Sequence, residues 1–153
     1  MRSFSFKLRT LLHIRGIEKD KALRLYAQAV ENKEKLKFLL SSKKKFLKKL
    51  KSEVAERRLI NFSGFQEETF QLSIEKTNDQ ILQIHGELEN SKSIENAKRE
   101  LYLKADSNFK SLENLKHKKH EEHVNSELKK EESELADIIG SRFIYNHKPS
   151  QSS

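Results

Sequence analysis

Residues 8–60 read LRTLLHIRGIEKDKALRLYAQAVENKEKLKFLLSSKKKFLKKLKSEVAERRLI and carry apolar residues in a seven-residue repeat. With Leu8 at position a, ten of the sixteen a and d positions through Ile60 are apolar, against about six expected from a 35% hydrophobic composition. Position e adds five more seam candidates, Leu12, Tyr26, Leu40, Leu47 and Val54. A stripe of this width predicts a long helix that packs against another helix.

A break follows this helix, because residues 61–65 (NFSGF) combine a turn former, a cap candidate and a glycine. A second apolar repeat comes after the break. Its register slips by one residue between Leu88 and Ile94, near Gly86, which predicts a local change of supercoil. The predicted seam of the second helix contains Ile74, Ile81, Ile84, Leu88, Ile94, Ala97, Leu101, Ala105, Leu112 and Leu115.

The two predicted helices differ in net charge. Residues 1–60 contain 18 Lys and Arg against 6 Asp and Glu, whereas residues 61–153 contain 13 against 17. An antiparallel pair of these helices avoids the like-charge repulsion of a parallel dimer. The sequence therefore predicts an all-α fold, a long antiparallel two-helix coiled-coil hairpin formed by one molecule, in which residue n lies opposite roughly residue 126 − n. Its expected parts are a hairpin over 1–145, with helix 1 at about 4–59 (beginning near Ser3 or Ser5), a turn at about 60–65 and helix 2 at about 66–141, and a disordered tail at 146–153.

Helix 2 is predicted to be longer than helix 1, by on the order of twenty residues beyond the start of helix 1. The apolar repeat fades from Lys116 to Glu134 and then returns at Leu135, Ala136, Ile138, Ile139 and Phe143. A polar stretch followed by an apolar end is typical of a segment that inserts into a partner.

The sequence favours no catalytic or metal chemistry. It has no Cys, no glycine-rich phosphate loop and no run of 18 apolar residues. His117, His120 and His123 are three apart on the predicted helix, but neighbouring lysines repel cations, so we interpret them as a solvated charged face. The lysine-rich run at 43–51 is a candidate for nucleic acid or an acidic membrane, although acidic residues of helix 2 are expected opposite it. We therefore expect no enzyme activity, no metal and no cofactor.

Three phenylalanines, Phe62, Phe65 and Phe70, gather at the predicted turn. Either they close the hairpin as a hydrophobic plug or they form an exposed docking patch. The sequence leaves both readings open.

Residues 6–15 (FKLRTLLHIR) and residues 129–143, at the two ends of the chain, resemble the flagellar FliJ family. Residues 6–15 (FKLRTLLHIR), followed by charged and Ala-rich text at 19–29, resemble the family's opening Phe-x-Leu-x-x-Leu-Leu-x-x-Arg pattern. Residues 129–137 (KKEESELAD) with Arg142 and Phe143 resemble its charged run into Glu-Leu-Ala and its closing Arg-Phe. Ser133 stands where the family is usually acidic, and Gly140 is expected to end the helix before Phe143.

The resemblance implies a soluble, non-enzymatic component of the flagellar type III protein export apparatus that looks like the central stalk of rotary ATPases. The implied partners are a hexameric export ATPase, the cytoplasmic domain of the export gate and export chaperones, with no nucleic acid and no direct membrane insertion. The implied location is the cytoplasm, peripheral at the cytoplasmic face of the inner membrane. Carried over by position, the ATPase-ring contact consists of Phe6, Leu8, Leu11, Leu12, Arg15, Leu135, Ile138, Ile139, Arg142 and Phe143. The export-gate contact consists of Leu39, Ser42, Phe46, Phe70 and Ile74.

Other functions are compatible with the same coiled-coil sequence. A stalk protein of a virulence type III secretion system is similar in form, and a structural coiled coil or a nucleic-acid-binding coiled coil belongs to a different class. The mass in solution separates a dimeric structural coiled coil from a monomeric stalk, and salt-sensitive binding reveals a nucleic-acid-binding rod.

Overall fold

The computed structural model describes residues 2–147, with side chains through Tyr145. Two helices, α1 (Arg9–Ile60) and α2 (Gly64–His147), pack against each other, and the described residues contain no strand. The predicted all-α helical hairpin is thereby confirmed.

Helix α1 begins at Arg9, later than the sequence predicted. Residues 2–6 are not helical, and the Arg9 amide donates to the Phe6 carbonyl oxygen at 3.2 Å. The Phe6 side chain is buried and the Phe4 ring lies against the His120 ring. Burial of two aromatic side chains therefore takes precedence over a cap at Ser3 or Ser5.

Only residues 61–63 separate the two helices. Ser63 caps the start of α2. Its side-chain oxygen accepts a hydrogen bond from the Gln66 amide at 3.2 Å, and its carbonyl oxygen accepts one from the Glu67 amide at 3.0 Å. Arg58 of α1 pairs with Glu67 of α2 at 2.7 Å across this turn. The predicted break is thus a short, capped turn.

At its other end α2 continues past the point where the sequence predicted a stop. Gly140 lies inside the helix, and none of the described glycines has positive φ, so the expected glycine cap does not form. The helix reaches His147, and residues 148–153 of the predicted tail lie outside the described part of the chain.

The chain divides into two compact units. Residues 17–106, here the hairpin unit, contain most of α1, the turn and the first half of α2. Residues 1–16 together with 107–153, here the terminal unit, contain the start of the chain and the rest of α2.

The seam of the hairpin unit follows an uninterrupted spacing of three and four residues on both helices. On α1 the buried and half-buried positions include Ala22, Tyr26, Ala29, Lys33, Leu36, Leu40, Lys43, Leu47, Leu50 and Val54. On α2 they include Phe70, Ile74, Thr77, Ile81, Ile84, Leu88, Ser91, Glu95, Lys98, Tyr102 and Ala105.

This seam corrects the predicted register in α1. The buried residues occupy the positions first labelled a and e, while the d residues Leu25, Leu39 and Phe46 are exposed. Position e is therefore the second seam position in α1.

The predicted slip in α2 is also wrong. Ile94, Ala97 and Leu101 are exposed, and the seam passes instead through Ser91, Glu95, Lys98 and Tyr102 without a change of spacing. Two helices keep their contact only while both hold the same repeat, so polar residues occupy seam positions there.

Two apolar clusters form the core of the hairpin unit. The first is Leu40, Ile84 and Leu88, flanked by Leu36 and Ile81. The second, here the turn core, consists of Leu50, Val54 and Ile74 with Leu47, Phe62 and Phe70 packed against them. Each buried aliphatic side chain stabilises the fold by up to roughly 1.5–3 kcal/mol, so these clusters account for most of the hairpin's apolar stabilisation.

Cross-helix contacts in the hairpin unit agree with the predicted pairing. The Tyr26 and Tyr102 ring centroids are 6.2 Å apart, Lys33 Nζ lies 2.7 Å from Glu95 Oε2, and Lys19 Nζ lies 3.8 Å from Asp106 Oδ1. The residue numbers of each pair add up to between 125 and 128, close to the expected 126.

In the terminal unit the first residues of the chain lie along α2. The Phe4 ring meets the His120 ring edge-on at 4.9 Å, and His123 Nε2 lies 2.8 Å from the Arg2 carbonyl oxygen. Gly16 permits a close approach, because a Cβ there would lie 3.3 Å from Phe109 Cε2. These contacts hold the start of the chain against α2 from Phe109 to His123.

Candidate partner-binding surfaces

The part of α2 beyond these contacts exposes a series of large apolar side chains. Here the C-terminal stretch denotes residues 128–145, all of which are exposed except the half-buried Gly140. Its large apolar side chains are between 46% and 81% exposed: Leu128, Leu135, Ile138, Ile139, Phe143, Ile144 and Tyr145. Soluble helices rarely carry so many exposed apolar side chains in succession without a partner.

The structure does not bring the ten residues of the predicted ATPase-ring contact into one patch. Phe6 is buried, Leu12 and Arg15 are half-buried, and only Leu8 and Leu11 are slightly more than a third exposed. The other five, from Leu135 to Phe143, are all exposed on the C-terminal stretch. They follow His120 by roughly 20–35 Å along the helix axis, at 1.5 Å per residue.

The predicted export-gate contact also divides by burial. Leu39, Ser42 and Phe46 are exposed at a spacing of three and four residues, which places them on one side of α1. Phe70 and Ile74 belong to the turn core, and Ile74 is only 8% exposed. The first three are thus open to a partner, and the Ile74 side chain is not.

The phenylalanines of the turn adopt both of the arrangements that the sequence left open. Phe62 and Phe70 pack together with ring centroids 5.7 Å apart, and the Arg57 guanidinium lies 5.0 Å from the centre of the Phe70 ring. Phe65 instead points outward, at 80% exposure. Leu59 and Ile60, the last two residues of α1, are also exposed. The sequence did not predict this exposure, because Ile60 fitted a d position of the repeat.

Charged residues occupy some seam positions where α1 and α2 meet, among them Lys33 and Glu95. Lys33 and Glu95 are each about one-sixth exposed at the side chain and form a cross-helix ion pair of the hairpin unit. The hydrogen bond to the Glu95 carboxylate, its main cause, raises the pKa of Lys33 above the usual 10.5, against a smaller opposing effect of burial. The pair therefore favours the charged lysine within the seam.

The histidine cluster has a structural role in the terminal unit. His120 and His123 contact Phe4, and His123 contacts the Arg2 carbonyl, while His117 is exposed. Among the described residues, no three His, Cys, Asp or Glu side chains are grouped as metal ligands. The sequence predicted that these histidines form a solvated charged face. It did not predict that His120 and His123 contact Arg2 and Phe4.

The lysine-rich run of α1 differs from its predicted setting. Lys43, Lys44, Lys45, Lys48, Lys49 and Lys51 form no ion pair within the part of the chain that the structure describes. By the pairing of n with 126 − n, Glu75 and Asp79 of α2 are nearest to this run, but neither forms an ion pair with these lysines. The cross-helix ion pairs occur instead at Lys19, Lys33 and Arg58.

Between Arg2 and His147, neither helix contains a segment long and apolar enough to cross a membrane.

A two-helix hairpin with a closed seam and exposed apolar residues at selected places defines a coiled-coil protein that acts through contacts with other proteins. The family model described as "Flagellar FliJ protein" matches residues 4–148, and the chain belongs to this family. Membership identifies a flagellar, export-related protein that interacts within the flagellar export apparatus. A search of the curated proteins and a search of the solved structures found no match.

Proposed function

We propose that this protein is the non-enzymatic stalk of the export ATPase ring, which it links to the export gate and to export chaperones. The observation that carries the proposal is the C-terminal stretch, whose apolar side chains are more than half exposed from Leu135 to Tyr145. The proposed location is the cytoplasm, peripheral at the cytoplasmic face of the inner membrane.

In the C-terminal stretch, Leu135, Ile138 and Ile139 are each more than half exposed. An exposed aliphatic side chain gains little burial energy, and such side chains promote unspecific association. Insertion into a ring removes these side chains from water, at about 25 cal/mol per Å² of apolar surface. A single helix with apolar residues on several sides fits a narrow central opening better than a flat surface.

A separate surface is available for the export gate. Leu39, Ser42 and Phe46 are exposed on α1, in the hairpin unit, whereas the C-terminal stretch belongs to the terminal unit. Two apolar surfaces on different units support a protein that binds the ATPase and the gate at different places.

The decisive experiment changes the C-terminal stretch and leaves the hairpin intact. We expect Leu135→Ser/Ile138→Ser/Ile139→Ser, and a truncation after Glu132, to abolish stimulation of the cognate export ATPase. The matched control is Leu72→Ser/Leu82→Ser/Leu101→Ser, which replaces three equally exposed apolar residues outside the seam. The control should retain stimulation, and all variants should keep the circular dichroism spectrum and melting temperature of the wild type within a few degrees.

Two outcomes contradict the proposal. Unchanged stimulation by the truncated protein places the ATPase contact elsewhere, and equal losses in the variant and the control show that the assay reports general hydrophobicity. In parallel, Leu39→Ala/Phe46→Ala should weaken binding to the cytoplasmic domain of the gate without lowering ATPase stimulation. A loss of both would show that the two surfaces are not separate.

A further inference from the structure

The side of α1 between residues 37 and 52 has a composition unlike any other part of the molecule. Residues 35–52 contain eight Lys and no Asp or Glu. Lys44, Lys48 and Lys51 line one shallow groove along the helix, and Lys37, Lys44, Lys45 and Lys48 line the next. Because the two grooves share Lys44 and Lys48, they form one continuous surface. The name lysine face is used below for Lys37, Phe38, Lys44, Lys45, Lys48 and Lys51.

Most of these lysines form no ion pair with the residues that the structure describes. Lys37 lies 3.8 Å from Glu34, whereas Lys44, Lys45, Lys48 and Lys51 form no ion pair among residues 2–147. Like charges this close on a helix repel one another, at a cost of a few tenths of a kcal/mol for each neighbouring pair. An external polyanion removes that repulsion when it binds.

An aromatic side chain accompanies the lysines. Phe38 is 76% exposed and lies seven residues before Lys45, so both occupy the same row along the helix. A helix face that combines several Lys with an exposed Phe is typical of segments that lie on an anionic membrane, where lysines meet the headgroups and the aromatic ring meets the boundary beneath them.

We propose that the lysine face binds the surface of an anionic lipid bilayer. The absence of Arg from residues 25–56 supports a diffuse surface of phosphates, since Lys acts as a point charge and lacks the planar fork that reads a fixed site. Nucleic acid fits less well, because one exposed phenylalanine offers no series of stacking platforms for a single strand and no base-reading side chain for a duplex. The other flanks, Ser41, Ser52 and Ala55, are small and allow close approach to a plane.

Most of the lysine face lies away from the proposed gate contact. At 100° per residue, Lys44 and Lys48 lie about 160° around α1 from Phe46, whereas Phe38 and Lys45 border Ser42. The binding of lipid goes beyond the stalk function and rests on the lysines and the exposed Phe38 of α1.

The test uses the full chain and sedimentation with vesicles at about 0.1 M salt. We expect binding to vesicles of phosphatidylcholine with roughly one quarter phosphatidylglycerol, and none to pure phosphatidylcholine. Lys44→Gln/Lys48→Gln/Lys51→Gln should reduce the partition coefficient roughly 100-fold, as each lysine near such a surface contributes about fivefold. The matched control, Lys76→Gln/Lys104→Gln/Lys118→Gln, carries the same net charge and should change binding less than about threefold.

Further variants separate the chemistry from folding. Lys44→Arg/Lys48→Arg/Lys51→Arg should bind like the wild type, and Phe38→Ala should bind a few-fold more weakly, whereas Phe65→Ala, equally exposed at the turn, should not. Equal loss in the glutamine variant and its control overturns the proposal, because binding then follows net charge only. Displacement of the protein from vesicles by duplex or single-stranded DNA at equal phosphate concentration assigns the face to nucleic acid instead, and failure to bind anionic vesicles at all also overturns it.

Discussion

Leu50, Val54 and Ile74 in the turn core are less than 10% exposed, whereas Leu135, Ile138 and Ile139 in the C-terminal stretch are more than half exposed. Both groups are branched aliphatic residues on long, regular helices. The turn core packs between the two helices, whereas Leu135, Ile138 and Ile139 lie in α2 beyond residue 126, where the pairing of n with 126 − n leaves no residue of α1 opposite. Apolar side chains near the turn therefore stabilise the hairpin, and those of the C-terminal stretch are available to a partner.

The largest expected effect on stability is at the turn core. Ile74→Ala should lower the free energy of unfolding by about 2–4 kcal/mol, because it leaves a cavity beside Leu50 and Val54. Ile138→Ala, the same change in the C-terminal stretch, should alter it by less than about 0.5 kcal/mol. Urea unfolding followed by circular dichroism measures both. A comparable loss at Ile138 would show that the C-terminal stretch packs against the hairpin in solution.

Two glycines allow the same comparison between the hairpin unit and the C-terminal stretch, with a smaller expected change in stability. Gly86 and Gly140 both lie within α2, and a Cβ at either position meets nothing within 4 Å. Gly86→Ala should raise the free energy of unfolding by about 0.5–1 kcal/mol, through the better helix propensity of alanine. Gly140→Ala should increase helix content without shifting the melting temperature, and a shift equal to that of Gly86→Ala would show that the C-terminal stretch unfolds together with the hairpin.

The smallest expected effect concerns the ion pair in the seam. Because Glu95 raises the pKa of Lys33 above 10.5, the pair contributes stability that is fully present below pH 10.5 and is lost as the pH rises through the raised value. Lys33→Gln keeps a donor but does not titrate, so its deficit against the wild type should shrink between about pH 8 and pH 11 or above. Thermal melts across this range measure the deficit, and Lys76→Gln, an exposed lysine, serves as the control. A deficit independent of pH would mean that Lys33 acts through packing rather than charge.

The hairpin, its turn and its pairing follow from the sequence, but the choice between neighbouring seam positions does not. In α1 apolar or aromatic residues come in adjacent d and e pairs, Leu11 with Leu12, Leu25 with Tyr26, Leu39 with Leu40 and Phe46 with Leu47. Either member of each pair is able to fill a seam. The partner helix decides between them, and its register is not visible in the sequence of α1 alone.

The error in α2 has a related cause. Ile94 and Leu101 were assigned to the predicted seam because they are apolar. In the structure Ser91, Lys98 and Tyr102 occupy the seam instead, which preserves the repeat. Ser91 is satisfied locally, with its hydroxyl donating to the Leu88 carbonyl at 2.7 Å. A polar residue that bonds its own helix costs little in a seam, so hydropathy is a poor guide at such positions.

Among the proposed contact residues, the exposed C-terminal stretch was foreseeable from helix lengths, and the burial of Ile74 from its place in the predicted seam of helix 2. Ile74 was predicted both as a seam residue and, from the family resemblance, as part of the export-gate contact, and the structure packs it in the seam with Leu50 and Val54. The buried Phe6 was assigned to a partner because nothing in the sequence indicated that residues 2–6 leave the helix to cover α2.

The unbroken repeat in the hairpin unit makes its length modular. Insertion of seven residues into α1 and seven at the matching level of α2 would return every seam residue to the same face. Such a pair of insertions would lengthen the unit by about 10 Å at 1.5 Å per residue, without a new turn or a new core. Deletion of one heptad from each helix would shorten it by the same step. The distance from the turn to the other end of the hairpin unit is thus adjustable in fixed increments of one heptad. The length of the unit can therefore set the spacing between whatever binds at its two ends.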